Sequence, residues 1–189
     1  MTEPAAPAVA DAAAITARVQ GTFERIRYER MAGLPFLNEA LHVELVGPRR
    51  WRGLWLGVLI TPWFMNVMLL PGDGAAAAEG EATPLRWPTV ATGEYAQFDF
   101  PAGTLSFLAG REGEMGEYLS CSLFSPMFGF ADHAGARQTA QACLLALLDP
   151  RAAAAQVAAG RPADAPAQPG KRDFLRGRWH DPAAWPAER

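Results

Sequence analysis

The sequence predicts an α+β domain, an antiparallel sheet flanked by an N-terminal and a C-terminal helix, with disordered tails. Three observations predict it. Apolar residues recur at helical spacing near the start of the chain and again near residue 140, and several strand-like runs lie between them. Those runs follow one another without intervening helical patterns, as antiparallel neighbours do, whereas parallel strands need a crossover between each pair. The expected organisation is a tail over residues 1–10, a single domain over 11–149, an Ala/Pro-rich linker over 150–170 and a C-terminal motif over 171–189.

Residues 1–10 are rich in Ala and Pro and offer little to bury. From Asp11 the pattern turns helical: Ile15, Val19, Phe23 and Ile26 lie three or four residues apart, with Arg18, Arg25 and Arg27 elsewhere. Asp11 is the expected cap, accepting from a free backbone N–H, and Gly33 with Pro35 ends the helix. Leu41–Val46 alternates, with Leu41, Val43 and Leu45 on one side and His42 and Glu44 on the other. Leu54–Ile60 and Phe64–Leu70 are apolar throughout, as strands covered on both faces are, and Thr61-Pro62 separates them.

Gly72 to Thr92 reads as a long surface loop tacked down by Trp87-Pro88, and Pro71-Gly-Asp-Gly74 is a turn rather than a phosphate loop. Strand signals resume at Tyr95–Phe100, Thr104–Leu108 and Glu117–Phe124; in the last, Leu119, Cys121 and Leu123 share a face opposite Ser120 and Ser122. A final helix is expected from about Asp132 to Leu148, with Asp132 as its cap. Its stripe of Ala136, Ala140, Cys143, Leu144 and Leu147 has small residues early, which permits close approach to a sheet. Beyond Asp149 the composition is that of a linker.

Composition narrows the function. The chain has 189 residues, half of them hydrophobic, enough for one real core. A net charge of -3 argues against nucleic acid as a partner. Cys121 and Cys143 form no close pair, and the start lacks a basic and apolar leader, so a reducing cytoplasm is expected. The Leu54–Leu70 run is nearly long enough to span a bilayer, but Pro62 and Asn66 interrupt it, and no stable membrane insertion is expected.

No catalytic or metal-ligand motif is evident. His42, His133 and His180 are scattered, and Cys121 with His133 is the one tempting nucleophile–base pair; its place on an apolar strand face suits an inert thiol. No enzyme, cofactor or metal centre is therefore expected. Two phrases stand out instead, each beside a proline: Trp63, Phe64 and Met65, and then Met127, Phe128, Phe130 and Asp132. Any one of these apolar side chains reads as core. Their number predicts that some are exposed and that the phrases border one partner-binding groove, since aromatic anchors dominate interfaces and Met adapts to varied apolar shapes.

At Gly33-Leu-Pro-Phe-Leu-Asn38, Trp55-Leu-Gly-Val-Leu-Ile-Thr-Pro-Trp-Phe-Met-Asn66, Phe100-Pro-Ala-Gly103 and Cys121-Ser-Leu-Phe-Ser-Pro-Met-Phe-Gly-Phe-Ala-Asp132, the chain resembles the HybE/HupJ/HoxT family of [NiFe]-hydrogenase assembly chaperones. The resemblance runs from about residue 15 to 148 and adds the tail phrase Arg172-Asp-Phe-Leu-Arg-Gly177. It implies a non-enzymatic chaperone that binds the small-subunit precursor and delays twin-arginine export until cofactor insertion and assembly are complete. Other hydrogenase accessory proteins are further expected partners. Some relatives carry a rubredoxin domain, but this chain has no Cys-x-x-Cys pair to hold that iron. The competing reading is a redox or metal-handling assembly factor that uses Cys121.

The tail has its own pattern. Lys171, Arg172, Phe174, Leu175 and Arg176 follow the order of a twin-arginine signal, with Lys in the first arginine's place and no apolar stretch after it. It is expected to mimic the client's signal and fold back onto the binding groove, with Glu112, Glu114 and Glu117 as a candidate seat for Arg172.

Overall fold

A computed structural model describes residues 7–72 and 83–159 of the chain. Helix α1 spans Pro7–Ile26 and closes with a wider turn over Arg27–Met31. Strands β1 (Glu44–Trp51), β2 (Leu54–Ile60), β3 (Met65–Leu70), β4 (Tyr95–Phe100), β5 (Gly103–Glu112) and β6 (Gly116–Phe124) follow, then helices α2 (His133–Leu148) and α3 (Pro150–Ala159). The strands form one sheet in the order β1-β2-β3-β6-β5-β4, every neighbouring pair antiparallel. The expected α+β class and both flanking helices are present.

The continuous apolar runs have the reason expected of them: both faces of the sheet's centre are covered. Leu54, Leu56, Val58 and Ile60 of β2, with Met65, Val67 and Leu69 of β3, pack toward Ala136, Ala140, Leu144 and Leu147 of α2. Trp55, Leu59, Met68 and Leu70 point the other way, onto Ile15, Val19 and Phe23 of α1. Each large side chain buried this way contributes about 1.5–3 kcal/mol. The small residues of α2 let it settle low on the sheet. At Gly47, whose φ is +59°, a β-carbon would meet Leu144 Cδ1 at 2.8 Å, so the bulge in β1 must carry a glycine.

The sheet is strongly curled. Trp51 at the end of β1 stacks on Phe100 at the end of β4, centroids 4.1 Å apart and planes 9° from parallel, although these strands are the two edges. Ala102, in the turn after β4, donates its N–H to the carbonyl of Leu147 at 3.3 Å. The sheet therefore wraps around α2.

Four expectations are corrected in detail. Helix α1 begins at Pro7, so residues 7–10 are helical rather than part of a disordered tail, and Asp11 lies inside the helix instead of capping it. Proline suits a first helical position and the alanines after it are the best helix formers. Strand β1 starts and ends later than Leu41–Val46, and Leu41 packs with the α2-side core while Val43 and Leu45 face α1. The chain is still turning at Asn38–Leu41, where the Leu41 N–H bonds the Asn38 carbonyl, so strict alternation has not begun. Finally, residues 150–159 of the expected linker form α3: Asp149 Oδ1 accepts from the Ala152 N–H at 2.9 Å, Pro150 opens the helix, and alanines continue it.

Candidate functional site

Three of the phrases singled out above meet at Asn38. Its backbone N–H donates to the Pro62 carbonyl at 2.8 Å. Its side-chain amide donates to the carbonyls of Met127 at 3.0 Å and Phe130 at 2.7 Å, while Oδ1 accepts from the Ala40 N–H at 3.1 Å. A single residue thus pins the segment after α1, through its backbone to the β2–β3 turn and through its side chain to the loop between β6 and α2.

Each of these turns is fixed locally as well. Fully buried Thr61 accepts through Oγ1 from the N–H groups of Trp63 at 3.3 Å and Phe64 at 2.9 Å, holding the β2–β3 turn closed. Ser125 Oγ donates to the Trp63 carbonyl at 3.4 Å, and Phe130 N–H to the Met127 carbonyl at 3.2 Å. The Ser125-Pro126 bond is cis. After α1, Gly33 takes a φ of +76°, turning the chain so that Leu34 and Phe36 follow.

The expected groove residues divide. Trp63 is 9% exposed and Met65 and Met127 0%, and they sit in the core, Trp63 on the α1 side and the two methionines on the α2 side. Phe64 is half-buried, edge-on to Phe23 with centroids 5.8 Å apart, and Phe130 lies edge-on to Phe124 at 5.2 Å. Phe128 is open to solvent at 63%. Asp132 caps α2, its Oδ1 accepting from the Gly135 N–H at 2.7 Å, as expected of it.

The buried members build the floor of this region and do not line a groove. The exposed apolar residues tied together through Asn38 are Phe128 on one segment and Leu34 and Phe36 on the other, with Tyr28 exposed on the wider turn Arg27–Met31. In the sequence Leu34 and Phe36 stand out only as part of the Gly33–Asn38 phrase that carries the resemblance, not as contact residues. Their signal was available: Pro35-Phe36 repeats the proline–apolar pairing of Pro62-Trp63 and Pro126-Met127.

Other expectations can be placed. His133 uses both ring nitrogens, Nε2 against Glu44 Oε2 at 2.6 Å and Nδ1 as acceptor of the His42 N–H at 3.4 Å, which leaves neither for Cys121. Burial pushes the Cys121 thiol above its usual pKa, so it is held protonated rather than activated. Of the acids offered as a seat for the tail, Glu112 pairs with Arg30 at 2.7 Å and Glu117 accepts from the Trp87 indole at 2.9 Å. Lys171, Arg172, Phe174, Leu175 and Arg176 lie outside the described residues. The apolar run Leu54–Leu70 is divided between β2 and β3, and among the described residues no helix is long and apolar enough to cross a membrane.

Fold and site together define an α+β module that presents exposed aromatic side chains on a hydrogen-bonded junction of turns. The chain belongs to the HybE family of [NiFe]-hydrogenase assembly chaperones: the family model described as "[NiFe]-hydrogenase assembly, chaperone, HybE" matches residues 14–177. It is 41% identical over 168 residues to the hydrogenase expression/formation protein HupJ of Bradyrhizobium diazoefficiens, covering 89% of this chain and 90% of that one. To the probable rubredoxin HupJ of Rhodobacter capsulatus it is 33% identical, over 77% of this chain and 50% of the relative. The solution structure of HybE from Escherichia coli superposes with a TM-score of 0.55 at 26% identity, covering 84% of this chain and 93% of that one. The resemblance noted in the sequence is borne out, and a role in hydrogenase assembly follows from the family.

Proposed function

We propose that the protein binds the small-subunit precursor of a [NiFe]-hydrogenase in the cytoplasm and delays its twin-arginine export until cofactor insertion and assembly are complete, without catalysing a reaction. One observation carries this reading: Phe36 and Phe128 stand exposed on segments that Asn38 locks together, so a contact surface is held ready before any client arrives. Preorganised aromatic anchors lose little freedom on binding and dominate interface energetics. The alternative of a redox factor working through Cys121 gains no support from a thiol that burial keeps protonated.

Titration of the purified chain with the small-subunit precursor, with and without its export signal, tests the reading. Phe36→Ser with Phe128→Ser weakens capture by about thirtyfold, the effect of losing roughly 2 kcal/mol at a hot spot. Undiminished binding by that double variant removes the surface from consideration. Loss of capture on removing only the signal assigns the contact to the signal. Residues 171–176 are proposed as a competitor for the same surface, because a tethered segment acts at high effective concentration. On that proposal, deletion of 165–189 tightens the signal's binding; unchanged or weaker binding refutes it.

A further inference from the structure

His42, Glu44 and His133 lie near the Asn38 junction and are distinct from the exposed Leu34, Phe36 and Phe128. His42 lies just before β1 and Glu44 is its first residue. His133 is the first residue of α2, and the loop before it is tied to Asn38. The ligating atoms of the three residues all lie within 4.8 Å of one another. The imidazole rings stack with centroids 3.3 Å apart and planes 22° from parallel.

We propose that His42, Glu44 and His133 form a binding site for a divalent first-row transition ion, which staples the start of α2 to the segment leading into β1. Two imidazoles and one carboxylate make a donor set that suits zinc or nickel rather than magnesium or calcium, which take oxygen ligands. Around a tetrahedral zinc ion, ligand atoms stand about 3.4 Å apart. The Glu44–His133 pair is already closer than that, and His42, whose ring is exposed, completes the set by a small rotation. Three protein ligands leave the remaining positions to water.

Three existing interactions must adjust: the grip of Arg137 on Glu44, the contact between Glu44 and His133 Nε2, and the bond from the His42 N–H to His133 Nδ1. Arg137 grips Glu44, Nε to Oε2 at 3.0 Å and its terminal nitrogen to Oε1 at 3.0 Å. On metal binding Oε2 turns to the ion while Oε1 stays with Arg137, which then orients the ligating carboxylate from outside. His133 Nδ1 accepts the His42 N–H, so its proton sits on Nε2. Coordination through Nε2 calls for the tautomer with the proton on Nδ1; it gives up this 3.4 Å bond and replaces the 2.6 Å contact with Glu44 by a shared ion. The sequence hides the site because the residues are 89 and 91 positions apart.

Calorimetric titration of the untagged full chain with zinc chloride, in a buffer that does not bind metal, tests the proposal. One saturable site is expected, weakened about tenfold or more by His42→Ala and by Glu44→Gln. Thermal melting of the parent chain rises with zinc by mass action, and that of His42→Ala does not. Because His42 is exposed, its truncation leaves the fold intact, and melting without metal verifies this. The proposal is overturned if no saturable binding appears up to roughly millimolar zinc. Binding that His42→Ala leaves unchanged also overturns it, since the ion would then sit elsewhere, for instance on His180.

Discussion

The β2–β3 turn and the loop between β6 and α2 begin from nearly the same words and end differently. Thr61-Pro-Trp-Phe-Met65 and Ser125-Pro-Met-Phe-Gly129 each set a hydroxyl residue, a proline and then large apolar side chains in order. In the first, Trp63 and Met65 are swallowed, one into each face of the core, and Phe64 is half-covered by Phe23 of α1. In the second, Met127 is buried while Phe128 stands in solvent. The difference lies in the neighbours rather than in the phrase: Phe23 of α1 packs against Phe64 of the first turn, whereas Phe128 in the second stands 63% exposed. Proline followed by aromatics therefore marks a turn that is worth building, and a remote helix decides whether the turn is floor or contact surface.

Substitution can sharpen the contrast. Met65→Ala, in the turn that became core, costs about 2–5 kcal/mol of unfolding free energy in denaturant titration, the usual range for emptying a buried site. A loss under about 1 kcal/mol there would mean that the turn is looser than its burial implies. Asn38→Ala comes next, at about 1–3 kcal/mol, because the carbonyls of Met127 and Phe130 lose their donor. It also lowers client affinity without touching an exposed aromatic; unaltered affinity would separate the junction from binding.

Phe128→Ser is expected to shift stability by less than about 0.5 kcal/mol, the norm for an exposed position. A large destabilisation would show that Phe128 is covered in solution, and the contrast between the turns would fail. The smallest effect concerns Cys121, on the strand that feeds the exposed loop. Its thiol pKa is raised in the folded state, so the folded chain keeps a proton that the unfolded chain gives up. Its stabilising contribution is complete below the ordinary thiol pKa of about 8.5 and is lost as the pH rises through the folded value. Cys121→Ser flattens the stability profile above the ordinary thiol pKa of about 8.5, below the range where the raised Tyr118 phenol acts. An identical slope in parent and variant would refute the assignment.

Much of the fold was legible because it is local. Period-two and period-three-or-four apolar spacing located the strands and α2, and Asp132 announced its own cap. What escaped was either compensated by propensity or decided at a distance. The linker-like 150–159 segment is helical through alanine and the Asp149 cap, with little bulk to bury. Leu41 changed sides because Asn38 bends the chain just before it. At the site, the sequence identified the phrases but not which of their side chains would be open, since Trp63 and Phe128 differ only in what folds over them. The trio of His42, Glu44 and His133 left no motif, being assembled from opposite ends of the sheet's connectivity.

The stacking of Trp51 on Phe100 has a consequence for how any client can be held. A sheet edge carries a row of unpaired N–H and C=O groups, and an extended foreign segment can join it as one more strand. Here the curl turns the ends of β1 and β4 toward each other, and Pro48 removes a donor from β1 at its bulge. The stacked rings crowd both edges at that end, so strand addition there is discouraged.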